Sequence, residues 1–141
     1  MIVALFAAAT MVQGSPTVVM PGVLDFPMLE GVQPAPDCLG LRETLAEDGE
    51  AFECLGAPLS RVNDLAFAYV RAASERGWTD AGGAGIALWM TRVLPDGKCQ
   101  RLTIAGMWDF ERTPRPRPND PGIVVISLDP DIRCPVLRPA E

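Results

Sequence analysis

"IALWMTRVLPDGKCQRLTIAGMW", residues 86–108, carries the fold in its spacing. Leu102, Ile104, Gly106 and Trp108 alternate with Arg101, Thr103, Ala105 and Met107. A period of two sends one row of side chains toward a core and the other away from it. Ahead of that run lies a second strand-like segment, residues 86–93, and between them "LPDGK" supplies Pro95 and the turn pair Asp96-Gly97. Two strands joined by such a turn read as a β-hairpin. Downstream, "GIVVISL" (residues 122–128) is almost continuously apolar, which predicts a third strand in a central or doubly covered position.

Upstream the period changes. In "SRVNDLAFAYVRAASERGW", Leu65, Ala68, Tyr69 and Ala72 recur at helical spacing, Phe67 and Val70 widen the stripe, and Arg71, Glu75 and Arg76 face outward. Ser60 or Asn63 is the expected N-cap, Gly77 the terminator, and Trp78 is placed to fold back over the last turn. "TDAGGAG" then reads as a flexible link from helix to strand. Its glycines resemble a phosphate-cradling loop only superficially, because such loops run from a strand into a helix N-terminus. The expected fold is α+β and two-layered: a three- to four-stranded antiparallel sheet with one main helix, residues 62–76, packed on it. A short N-terminal helix completes it, drawn from "DCLGLRETLAEDG" with Asp37 as cap, Leu41 and Leu45 on one face and Gly49 as stop.

The segment before that helix divides in two. Residues 1–12 are apolar and break at Gln13, Gly14, Ser15 and Pro16; the run is too short to span a bilayer but has the length of a signal-peptide core. Residues 1–14 are therefore expected to be a signal peptide cleaved after Gly14, although no Lys or Arg precedes the run. Residues 15–36 read as an extended arm, since prolines at 21, 27, 34 and 36 forbid a helix and any long central strand, leaving room for one edge strand at residues 17–20. Residues 37–141 form the single domain.

Four cysteines, Cys38, Cys54, Cys99 and Cys134, are even in number, and no two have the spacing of a zinc knuckle or a thioredoxin-like motif. Histidine is absent, which removes the usual partner of thiolate in mixed metal sites, so no metal and no cofactor are expected. Two disulfides formed in an oxidising compartment follow, and with them a bacterial protein that is periplasmic or secreted. In a meander the end of the third strand returns beside the start of the second, which pairs Cys99 with Cys134 and leaves Cys38 with Cys54 around the short helix. The net charge of −6 argues against nucleic acid and against anionic membrane surfaces. Lys98 is the only lysine; that skew, with abundant Ala, Pro and Gly, is what GC-rich coding produces and carries no functional message.

Without histidine, Ser-His-Asp and Cys-His catalysis are impossible. Paired carboxylates would suffice for glycoside cleavage, and Glu43, Glu47, Glu50, Glu53 and Asp64 are the candidates, but a solvated acidic helix face accounts for Glu43 and Glu47 better. "DPD" at 129–131 lacks the ligand pattern of a calcium loop and reads as a turn. "FERTPRPRPND", residues 110–120, sets Arg112, Arg115 and Arg117 among Pro114, Pro116 and Pro118. An extended polyproline segment with three splayed guanidinium groups is able to grip carboxylates or phosphates, and it is equally an ordinary stiff connection between strands. Trp108 shares its face with Leu102 and Ile104 and is expected in the core; Trp89, beside Ala87, Thr91 and Val93, is the expected exposed aromatic. The sum is a non-catalytic exported domain that binds a protein or envelope partner through Arg112, Arg115, Arg117 and Trp89. A carboxylate-dependent hydrolase and a small-ligand carrier are the alternatives.

Overall fold

Residues 18–46 and 51–135 are described by a computed structural model. The apolar N-terminal run and the proposed cleavage point after Gly14 lie outside them, as do Glu47, Gly49 and Glu50.

The hairpin of the sequence reading is present as β6 (Ala87–Val93) and β7 (Cys99–Met107), and the third strand, β8 (Pro121–Ile132), lies against β7. The sheet does not stop there. A strand β4 (Ala51–Pro58) pairs along its full length with the other side of β8, two residues of β3 (Gln33–Pro34) pair with β4, and β5 (Thr79–Ala84) pairs with β6. The result is one antiparallel sheet in the order β3-β4-β8-β7-β6-β5, plus a two-stranded ribbon of β1 (Val18–Val19) and β2 (Phe26–Pro27). Among the described residues, eight strands in two sheets, one of them six-stranded, replace the expected three- to four-stranded sheet. "TDAGGA" is thus a strand and not a link: its backbone groups pair with β6 although it has almost no side chains to signal it.

One main helix, α2 (Leu59–Glu75), packs across one face. Val62, Leu65, Ala66, Tyr69 and Ala73 meet Leu55, Met90, Leu102, Ile104, Val124 and Ile126 in the principal core. Gly106 and Gly122 lie beneath Val62, and a Cβ on either would come within 2.6 Å of a Val62 methyl, so glycine sets how closely the helix approaches the sheet. Phe67, expected to widen the apolar stripe, is 50% exposed on the outer side of α2. Neither Ser60 nor Asn63 caps the helix. Its first N–H groups, of Leu59 and Ser60, donate to the carbonyls of Asp120 and Pro118 at 2.8 and 2.9 Å, so the connection between β7 and β8 closes the helix end. At the other end Gly77 takes φ +88°, the Trp78 N–H donates to the Ala73 carbonyl, and Trp78 is buried with the Arg92 guanidinium 4.4 Å above its ring.

The proline-rich segment is part of this core. Val19 and Phe26 are fully buried, Met20, Leu24 and Val32 join them, and the Tyr69 hydroxyl ties the segment down by donating to the Pro27 carbonyl (3.0 Å) and accepting from the Leu29 N–H (3.3 Å).

On the opposite face, alternate residues of β8 fall into a second core. Ile123 and Val125 pack with Cys38 and Cys54 under Ala35, Leu39, Leu41 and Leu45. The covering segment is a 3₁₀ turn (Cys38–Gly40) followed by α1 (Arg42–Ala46), without a side-chain cap from Asp37. Burial on both faces is why "GIVVISL" reads as a continuous apolar run. Disulfides join Cys38 to Cys54 and Cys99 to Cys134; the opposition of Cys99 and Ile132 across β7 and β8 brings the second pair together.

Candidate functional site

Among the described residues the cover on the outer face spans β4 and β8 and does not extend over β7 and β6, and along its border runs a groove of about 390 Å³. Register builds its floor. Trp89, Thr103, Ser127 and Phe52 stand opposite one another on four adjacent strands, so two aromatic rings flank two hydroxyls. One step along, Ala87, Ala105, Val125 and Cys54 form a row of small or apolar residues. One step the other way, Thr91, Arg101 and Asp129 form a polar row, with the Arg101 guanidinium 3.9 Å from Asp129 Oδ2. Leu45 of α1 overhangs from one side, and Ile86 and Met107 close the apolar end.

Trp89 is half-buried in this groove. None of Arg112, Arg115 and Arg117 lines it. All three are exposed in the connection between β7 and β8, where Arg112 pairs with Asp109 at 3.6 Å and lines a small depression beside Asp37 and Leu39. Trp89 and the three arginines, the residues expected to meet a partner, thus lie in separate parts of the surface, Trp89 in the groove and the arginines outside it. Nor is Trp108 a core residue: it follows the end of β7, half-buried, donates its indole N–H to the Thr113 carbonyl (3.1 Å) and meets Phe110 edge-on.

Turns held by aspartate explain the loop. The Asp109 carboxylate accepts from the Glu111 and Arg112 N–H groups, and the Asp120 carboxylate accepts from the Arg117 N–H at 2.7 Å.

Among the described residues the candidate carboxylates do not converge. Glu43 is exposed on α1 and Asp64 on α2, on opposite sides of the sheet, while Glu53 accepts the Met20 N–H at 2.7 Å and anchors the end of β1. Among the described residues no cluster of three potential metal ligands exists. Phe52 and Leu45 had no functional signal in the sequence, because recognising them requires β4 and its register with β8. Compared with protein families, curated proteins and solved structures, the chain gives no significant match.

Proposed function

We propose that the chain is an exported, non-catalytic binding domain that seats an apolar group of its ligand in the outer-face groove around Trp89. The observation that carries this reading is the groove itself: aromatic and aliphatic walls, a few placed polar groups, and a volume within the ~300–1,000 Å³ common for ligand sites. Two disulfides fit an exported protein, and among the described residues no helix is long and apolar enough to cross a membrane. The separation of Glu43, Glu53 and Asp64, the candidate carboxylates among the described residues, favours binding over hydrolysis.

A neutral dye, N-phenylnaphthylamine, tests the reading. Its emission should rise saturably on adding the folded protein, with energy transfer from tryptophan. Ala105→Leu, which fills the floor, should abolish the rise, and Phe67→Ser on the exposed side of α2 should leave it intact. A dye signal that is absent, or equal for wild type and Ala105→Leu, overturns the proposal.

A further inference from the structure

The two disulfides differ in what surrounds their sulfurs. Cys38 and Cys54 are 0% and 1% exposed and lie inside the second core, packed with Ile123 and Val125 beneath the covering segment. The other pair joins two environments. Cys99 is fully buried at the first position of β7, whereas Cys134 is exposed, beyond the last residue of β8. Its Sγ rests 3.4 Å from the Gly97 carbonyl oxygen, against a turn whose residues 95–98 are all exposed. The sheet does not hang on this bond: β8 is paired with β4 over residues 121–128 and with β7 over residues 123–129.

We infer that Cys99–Cys134 is an exchangeable disulfide, opened and remade on the folded protein by a dithiol carrier, while Cys38–Cys54 stays closed. Exchange is a displacement at one sulfur, so that atom must be within reach of the incoming thiolate. Cys134 meets this condition. A carrier thiolate attacks Cys134 Sγ, the bond between the two Sγ atoms breaks, and Cys99 leaves as a thiolate that takes a proton from solvent. The carrier's second thiolate then attacks the carrier sulfur of the mixed disulfide. This expels Cys134 as a thiolate, which is protonated in turn, and leaves the carrier oxidised to its own disulfide. Two electrons pass from carrier to protein, and the reverse sequence closes the bond. Cys38 and Cys54 come within reach only when the covering segment opens, because both sulfurs lie in packed apolar surroundings. Loop entropy makes the longer-range bond the more stabilising of the two. Access nevertheless decides which one opens first.

Timed reduction of the native, oxidised protein tests this. Dithiothreitol is added without denaturant, samples are quenched with N-ethylmaleimide, and the labelled cysteines are located by peptide mass spectrometry. Cys99 and Cys134 should be labelled at least about tenfold faster than Cys38 and Cys54, with the near-ultraviolet circular dichroism retained while only the first pair is labelled. Removing dithiothreitol at that stage should restore the bond and abolish further labelling. Brief exposure to glutathione, a monothiol, should leave the glutathione adduct on Cys134 and N-ethylmaleimide on Cys99. Labelling of both pairs together, labelling of Cys38 and Cys54 first, loss of the dichroism with the first pair, or an adduct on Cys99 in place of Cys134 overturns the inference. The comparison uses the wild-type chain, so no variant has to fold.

Discussion

Tyr69 shows how much one buried hydroxyl organises. It is fully buried, and its single oxygen serves two backbone groups of the N-terminal segment. Tyr69→Phe leaves the Pro27 carbonyl and the Leu29 N–H without their partner, and the expected cost is about 1–3 kcal/mol, read as a lower urea midpoint. Burial raises the phenol's pKa above 10.0; the Leu29 N–H pulls it down and the nearby Glu53 charge pushes it up. In the unfolded chain the phenol loses its proton first as the pH climbs, so the native state then holds the proton more tightly. Its contribution is complete below pH 10 and is lost as the pH rises through the folded-state value. Midpoints of wild type and Tyr69→Phe, taken on either side of pH 10, should therefore converge at the alkaline side.

At the scale of elements, the arginine-proline connection is a helix closure built from carbonyls and aspartates. All three arginines are exposed and Arg112 pairs with Asp109 at the surface, so replacing Arg112, Arg115 and Arg117 together by alanine should change stability by no more than about 0.5 kcal/mol. Asp120→Ala removes the acceptor that holds the Arg117 N–H and should cost about 1 kcal/mol, with thermal unfolding followed by circular dichroism as the measure. The elements legible in the sequence were β6 and β7, a hairpin marked by its turn and by alternation in β7, β8, whose unbroken apolar run announces burial on both faces, and α2, whose apolar stripe recurs at helical spacing. β4 escaped because Phe52 and Cys54 serve one core, Leu55 and Ala57 the other, and Glu53 interrupts the pattern to bind a backbone N–H. β5 escaped because a strand of Gly, Ala and Asp pairs through its backbone alone. With β4 missing, Trp89 was visible as an exposed aromatic, but its opposite wall, Phe52 and Leu45, was not.

For the whole molecule, the two disulfides divide their work. The Cys99–Cys134 bond spans 35 residues and the Cys38–Cys54 bond 16, so loop entropy assigns them about 4 and about 3 kcal/mol. Removing the first by a double alanine substitution should lower the melting temperature at least as much, yet leave dye binding in the groove intact. Removing the second should abolish dye binding at temperatures where the domain is still folded, because Cys38 fastens the covering segment. Cys38 and Leu39 both take positive φ, 52° and 56°, a conformation costly for residues with a side chain, so the segment does not hold this shape for free. One wall of the outer-face groove is thus latched by sulfur chemistry. On the proposed binding reading, a chain refolded with its thiols kept reduced should bind no dye, and binding should appear only as the Cys38–Cys54 bond closes.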